Sequence, residues 1–67
     1  MTIQDAQNVI LAGCNVVYNG VTFLRAEAVE LFYDRKEKAF KMSLILLDRN
    51  LNSVTRAPAE RCTVIPL

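Results

Sequence analysis

A long β-hairpin is the feature of this sequence that most constrains its fold. Between residues 40 and 46 every second residue is apolar, which is the pattern of a strand with one buried face. A second apolar segment covers residues 23–33, and the charged run of residues 34–38 separates the two. Because that run is too polar to be buried and long enough for a turn, we predict a central hairpin with a solvated tip. The apolar face of its second arm consists of Phe40, Met42, Leu44 and Leu46.

The strand at residues 40–47 also carries apolar residues, Ile45 and Leu47, on its other face. A strand that is apolar on both faces is covered on both sides. One side is expected to be the core, and the other to meet either the N-terminal helix or another subunit. Leu51, in an Asn- and Asp-rich turn, is expected either to pack on the end of the β structure or to contact a partner. Ile45, Leu47 and Leu51 are therefore the candidate protein-interface residues.

Turn-forming residues place the other strands. Asn19 and Gly20 separate two β-rich runs, and this dipeptide favours the positive φ angles that a two-residue hairpin turn requires. In the long strand that follows, the apolar phase changes midway, which predicts a bend or a bulge. Two short strands are expected at residues 53–56 and 62–65, and Pro58 between them favours a single helical turn.

The first residues predict a short amphipathic helix at residues 2–12. Thr2 can cap its N-terminus, Asp5 adds an acidic side chain to the first turn, and Gly13 suits the left-handed conformation that ends many helices. Four apolar residues recur at helical spacing, so the helix is expected to pack on a sheet. They are Ile3, Ala6, Val9 and Ile10.

The chain of 67 residues fits one domain, residues 1–67, whose small size limits the core that it can bury. Hydrophobic residues make up 52% of it, so disorder is not expected. A small chain this apolar often completes its core by forming a homo-oligomer. Cys14 and Cys62 are interpreted as small buried hydrophobes, and a disulfide between them would need neighbouring end strands. Because no signal peptide is recognised and no apolar run is long enough to span a membrane, a cytoplasmic location is expected.

Five β segments, a tight first hairpin, a long bent second strand and one helical turn before the last strand form an order that resembles the SH3-like small barrel. The resemblance covers about residues 13–65 and rests on the Asn19-Gly20 turn and the break at residues 57–61. It implies a mainly β (α+β) fold, namely a five-stranded SH3-like small barrel with a short N-terminal helix. This fold hosts nucleic-acid binders, ribosomal proteins, peptide binders and oligomeric scaffolds, so it does not by itself indicate a function.

SH3 domains that bind proline-rich peptides line their groove with aromatic residues that include a tryptophan. This chain has no tryptophan, so the peptide-binding activity is not carried over. The aromatic residues near the hairpin can instead belong to the core. They are Phe23, Phe32, Tyr33 and Phe40.

Catalysis is not expected. The chain has no histidine, which is the commonest general base and a common metal ligand. A cysteine nucleophile would therefore lack the base that usually generates its thiolate. The two glycines form no Gly-rich loop, and the two cysteines have no metal-ligand spacing. We predict a protein that is not an enzyme and that uses no cofactor or metal.

Binding is the expected activity, with two alternatives. The first is a non-enzymatic interaction module that forms a homo-oligomer and docks on a larger protein partner as an accessory or inhibitor. The second is a nucleic-acid or nucleotide binder, because basic and aromatic residues surround the hairpin turn and arginine suits phosphate contacts. Eight basic residues against seven acidic ones give no general basic excess, which favours the first alternative. The candidate residues for the second are Tyr33, Arg35, Lys36, Lys38, Lys41, Arg49 and Arg56.

Overall fold

The computed structural model describes residues 1–66 as a mainly β fold with two antiparallel sheets and one short α-helix. The predicted mainly β fold with an N-terminal helix is thereby confirmed. No helix within residues 1–66 is long and apolar enough to cross a membrane. In chain order the elements are α1 (Ile3–Ala12), β1 (Asn15–Tyr18), β2 (Val21–Phe23), β3 (Arg25–Asp34), β4 (Ala39–Leu47), β5 (Val54–Pro58), a 3₁₀ turn (Ala59–Arg61) and β6 (Thr63–Ile65).

Helix α1 begins and ends as the sequence predicts. The Thr2 hydroxyl accepts a hydrogen bond from the Asp5 backbone N–H (3.1 Å), and the Asp5 carboxylate accepts one from the Thr2 backbone N–H (3.0 Å). The two bonds form a complete capping box, and the bond from the Thr2 backbone N–H is the main cause that lowers the pKa of Asp5. At the other end, Gly13 adopts the left-handed conformation with a φ of 70°. Ala6, on the inner side of the helix, is fully buried.

The strands form two three-stranded sheets rather than one closed barrel. The first sheet has the order β2-β1-β6 and the second has the order β3-β4-β5, and all neighbours are antiparallel. Six strands replace the predicted five because the long second strand breaks at Leu24. The Leu24 backbone N–H donates to the Leu47 carbonyl (2.9 Å), so β2 and β3 are two halves of one bent strand that serves both sheets.

Two local predictions about the strands are confirmed. Asn19 and Gly20 have φ angles of 53° and 76°, and they form the two-residue turn that joins β1 to β2. The pairing of β3 with β4 shifts between Ala26 and Ala28, so Glu27 is the extra residue of a bulge. The bulge explains why the apolar phase of this strand changes midway.

The core combines residues from α1, both sheets and the 3₁₀ turn. Four of its seven members are alanines, and such small side chains allow the helix, the sheets and the turn to approach closely. The largest fully buried side chains are those of Leu44, Leu46 and Val16. The buried cluster consists of Ala6, Val16, Ala26, Leu44, Leu46, Ala57 and Ala59.

The two cysteines are free, with Cys14 buried and Cys62 partly buried. Their strands are neighbours, as a disulfide would require, but β1 and β6 are antiparallel with Val16 opposite Val64. This register places the cysteines at opposite ends of the strand pair, about 13 Å apart along it, which is beyond disulfide reach. The Cys62 thiol donates to the Pro58 carbonyl (3.4 Å), and burial raises its pKa.

Candidate functional site

An apolar patch covers part of the second sheet on the face that points away from the core. We define this outer patch as Ile45, Leu47 and Val54. Leu47 and Val54 are direct cross-strand partners on β4 and β5, and Ile45 lies two residues before Leu47 on the same face. Ile45 and Leu47 are partly buried, and Val54 is 57% exposed.

The N-terminal helix does not cover the outer patch. Ala6 of α1 belongs to the buried cluster that also contains Leu44 and Leu46. Because side chains alternate along a strand, Ile45 and Leu47 point to the opposite face of β4. Of the two covers that the sequence left open, the helix is therefore excluded.

Ion pairs lie beside the outer patch. Arg56, which is opposite Ile45, donates from Nη2 to Glu30 Oε2 (3.1 Å), and Arg25 donates from Nε to Glu27 Oε1 (2.6 Å). Since these side chains are largely exposed to solvent, the pairs add little to stability. They do give the apolar patch a charged border, which is the arrangement found at protein interfaces.

Leu51 lies at the tip of the turn between β4 and β5. Its φ is 60°, its side chain is 63% exposed, and its backbone N–H donates to the Asp48 carbonyl (2.9 Å). The exposed side chain does not pack on the end of the fold, which was one of the two expectations for it. It adds apolar surface at the end of the second sheet where Leu47 lies.

A second apolar surface lies at the other end of β4, where the hairpin tip approaches the start of α1. A groove of about 600 Å³ opens there. Phe40 is 69% exposed at this site, and Ile3, which the helical spacing assigned to the packed side of α1, is exposed as well. We call this site the hairpin groove. Its lining includes three charged residues, Asp34, Lys41 and Glu60. The rest of the lining is apolar and consists of Met1, Ile3, Leu31, Phe32, Phe40, Met42, Pro58 and Ala59.

Most of the aromatic residues that the sequence offered as possible core residues lie outside the core. Phe23 packs against the buried cluster, but three others are exposed. The reason is that β5 ends opposite Ser43, so within residues 1–66 the start of β4, residues 39–42, has β3 as its only neighbouring strand. The exposed aromatic residues are Phe32, Tyr33 and Phe40.

The charged turn of the hairpin is ordered by its own side chains. Asp34 Oδ1 accepts hydrogen bonds from the backbone N–H groups of Lys36 (2.9 Å) and Glu37 (3.1 Å). Lys41 Nζ lies 3.6 Å from Asp34 Oδ2 and also pairs with the Glu37 carboxylate. The hydrogen bond from Glu37 is the main cause that lowers the pKa of Asp34, and the bond to Glu37 is the main cause that raises the pKa of Lys41.

The structure splits the predicted anion-binding residues into two groups. At the hairpin turn, the Tyr33 ring packs edge-on against Phe40, with centroids 5.2 Å apart, and the Arg35 guanidinium lies 5.6 Å from the Tyr33 centroid. Three members of this group therefore already have partners within the chain, namely Tyr33, Arg35 and Lys41. Within residues 1–66, Arg35, Lys36 and Lys38 take part in no ion pair.

The other two predicted anion-binding residues are Arg49, in the turn after β4, and Arg56 on β5. Arg56 is paired with Glu30. Along β4, the position of Arg56 opposite Ile45 is about 13 Å from Lys41, and Arg49 lies beyond Leu47, which is about 20 Å from Lys41. Within one chain the seven candidates therefore do not form a single phosphate site.

Sequence reasoning missed Val54 and the hairpin groove. Val54 lies on the same strand face as Arg56, because residues two apart on a strand point the same way, and this was visible in the sequence. Its place beside Leu47, by contrast, depends on the register of β5 against β4. The groove carries no signal in the sequence, because the pattern of residues 40–46 does not mark where the covering layer ends.

Within residues 1–66 no group of three or more Cys, Asp or Glu side chains is placed to hold a metal ion. Every buried side-chain nitrogen or oxygen atom in the same part of the chain has a hydrogen-bond partner. No protein-family model matches the chain, and neither a curated protein nor a solved structure matches it.

Proposed function

We propose that this protein is a non-catalytic interaction module that self-associates through the outer patch and docks on a larger protein partner as an accessory or inhibitor. The observation that supports self-association best is the position of Ile45 and Leu47. They lie on the central strand of the second sheet, on the face opposite the buried cluster. Contact with a second copy would remove this apolar surface from water, and burial of apolar surface is the main driving force of association.

The surroundings of the outer patch support the same proposal. An apolar centre with a charged border is typical of protein interfaces, and here the border consists of the Arg56–Glu30 and Arg25–Glu27 pairs. A chain of 67 residues also has a small core of its own, so it gains much from association.

As part of this proposal, the two sheets form a partly open SH3-like barrel. The support is their connection through one bent strand, with the Leu24 N–H bonded to the Leu47 carbonyl. The 3₁₀ turn before β6 agrees with the order of elements in that fold. A high-resolution experimental structure tests this part, since two sheets that diverge away from Leu24 would contradict it.

Docking on a larger partner is assigned to the hairpin groove. It lies at the end of β4 away from Leu47, so an oligomer built through the outer patch leaves it accessible. Exposed aromatic and aliphatic side chains around a concave surface are typical of protein-binding sites. A Phe40→Ser variant is expected to lose a co-purifying partner while keeping the oligomer, as followed by affinity capture and mass spectrometry. Retention of that partner at the level of the unchanged protein would contradict this assignment.

Self-association is tested by native mass spectrometry and light scattering on the purified chain. The unchanged protein is expected to be an oligomer, and Val54→Asp is expected to raise its dissociation constant about 100-fold. The reason is that the substitution places an unpaired charge in the contact, which costs about 3 kcal/mol. Ile45→Asp tests the centre of the patch in the same way.

The matched control is Leu11→Asp. Leu11 is 85% exposed on α1, outside the outer patch, so its substitution should leave the oligomer intact. Thermal unfolding followed by circular dichroism verifies that each variant folds. A monomeric unchanged protein, or equal dissociation by Leu11→Asp and Val54→Asp, would contradict the proposal.

The alternative is binding of nucleic acid or a nucleotide at the hairpin turn, where Arg35, Lys36 and Lys38 are exposed and take part in no ion pair within residues 1–66. Phosphate contacts make affinity depend on salt concentration. If this alternative holds, Lys36→Glu with Lys38→Glu should weaken binding of a labelled single-stranded RNA and flatten its salt dependence. Arg49→Glu, at the far end of β4, is the control, and an unchanged salt slope in the double variant would rule the turn out.

A further inference from the structure

We infer that copies of this chain pair head to tail, with the free edge of β5 in one copy joined to the free edge of β6 in the next. This inference rests on the proposed self-association and names the backbone edges that carry it. In the strand orders β2-β1-β6 and β3-β4-β5, both β5 and β6 are edge strands. Each therefore has one row of backbone N–H and C=O groups without a strand partner within residues 1–66, and such an edge readily accepts another strand.

The other two edge strands, β2 and β3, are poor acceptors of an added strand. The β3 strand carries the bulge at Glu27 and the ion-paired side chains of Arg25 and Glu30, and bulges and charges disfavour an added strand. The β2 strand is as short as β6, but it runs directly into the bend at Leu24, which interrupts its edge. By contrast, β5 has Arg56 as its only charged residue, β6 has none, and both are rich in β-branched residues.

The two free edges are similar in length, at four and three residues, and three positions of each share one pattern of side-chain exposure. Proline at positions 58 and 66 lacks an N–H group and limits the edges to residues 54–57 and 63–65. In β5, Val54 and Arg56 are exposed and Thr55 between them is partly buried. In β6, likewise, Thr63 and Ile65 are exposed and Val64 between them is partly buried.

An antiparallel pairing with Val54 opposite Ile65 of the next copy thus sets exposed residues against exposed residues at two positions, with two partly buried residues opposite each other between them. It also places Ile65 of that copy beside Val54, so the apolar surface of the outer patch continues across the contact. Directly opposite residues on neighbouring strands stabilise a sheet through such side-chain contacts.

Head-to-tail pairing is favoured over a symmetric pairing of β5 with β5. The symmetric pairing would fill one edge of each copy and leave both β6 edges open. The head-to-tail contact fills both edges of every copy with a single type of interface, provided that the rotation between copies closes a ring.

The experiment uses two single variants, Val54→Cys and Ile65→Cys, each retaining the native cysteines. The variants are oxidised with copper phenanthroline, separately and after refolding as a mixture, and separated on non-reducing gels. Opposite positions on paired strands lie within disulfide reach, so a covalent dimer is expected in the mixture, in at least tenfold excess over either variant alone. Because each chain carries one new cysteine, a link within a chain cannot produce this band. The unchanged protein, treated in parallel, accounts for any link made by Cys14 or Cys62.

Three outcomes would overturn the inference. A covalent dimer of Val54→Cys alone would indicate symmetric β5 pairing. An oligomer by native mass spectrometry without any covalent dimer in the mixture would show that these edges are not the contact, while the proposed self-association would stand. A monomeric unchanged protein would remove both the inference and the proposed function.

Discussion

Leu44 and Phe40 point to the same face of the same strand, yet Leu44 is completely buried and Phe40 is 69% exposed. Along that face, α1, the first sheet and the 3₁₀ turn contribute to the cluster around Leu44. At Phe40, β4 has only β3 beside it in the described part of the chain, because β5 ends opposite Ser43. The comparison teaches that alternation determines which way a side chain points, whereas the neighbouring layer determines whether it is buried.

The largest expected effect is at the buried end of this face. Leu44→Ala should lower the free energy of unfolding by about 3 kcal/mol, because it removes apolar contacts and leaves a cavity in a well-packed cluster. Urea unfolding followed by circular dichroism measures it. A loss below about 1 kcal/mol would mean that the site collapses around the smaller side chain, and the contrast with Phe40 would disappear.

The second prediction concerns protonation of Asp34 at the hairpin turn, which should lower stability in acid by less than Leu44→Ala does. The hydrogen bond from Glu37, and then that from Lys36, hold the pKa of Asp34 below its ordinary value of 3.8. A carboxylate with a lowered pKa in the folded state adds stability above its ordinary pKa, and this stability is lost as the pH falls through the folded-state value. Nuclear magnetic resonance titration of the Asp34 carboxyl should therefore give a midpoint below 3.8.

Asp34→Asn is the control for this titration. It keeps an oxygen that can accept the two backbone hydrogen bonds but removes the charge that faces Lys41. The stability difference between the two proteins should be present at neutral pH and should vanish as the pH falls below the folded-state pKa. A difference that persists in acid would show that the charge of Asp34 is not its cause.

The smallest effect on the free energy of unfolding is expected at the exposed end of β4, where Phe40 lies. Phe40→Ala should change the free energy of unfolding by less than about 0.5 kcal/mol, since most of the ring is already in water. The edge-on contact with Tyr33 is the main contact that it would lose. A loss as large as that of Leu44→Ala, in the same urea experiment, would show that another copy or partner covers Phe40 in solution.

The sequence was sufficient for those features that depend on neighbouring residues. The Thr2–Asp5 capping box, the Asn19-Gly20 turn and the bulge at Glu27 each follow from a few adjacent side chains. The approximate strands followed as well, because alternation is visible in residues 40–46. The division into two sheets was not predictable, since the break at Leu24 depends on a bond to the distant Leu47 carbonyl.

The candidate site was predictable to a smaller extent. Ile45 and Leu47 were identified because a second apolar face on one strand is visible in the sequence. Val54 depended on the pairing of β5 with β4, and the hairpin groove depended on where β5 ends. The ion pairs of Lys41 also reduce the basic character of the turn in a way that a count of charges does not reveal.

The pairing of β1 with β6 has a consequence for how the chain acquires its structure. Asn15 lies opposite Ile65, so the 49 residues from 16 to 64 separate the two partners. The β1–β2 and β3–β4 hairpins can form from adjacent segments within microseconds, but the first sheet is completed only after this long loop has closed. Until then β1 presents an unpaired edge, and a nascent or partly unfolded chain is most exposed to mispairing there.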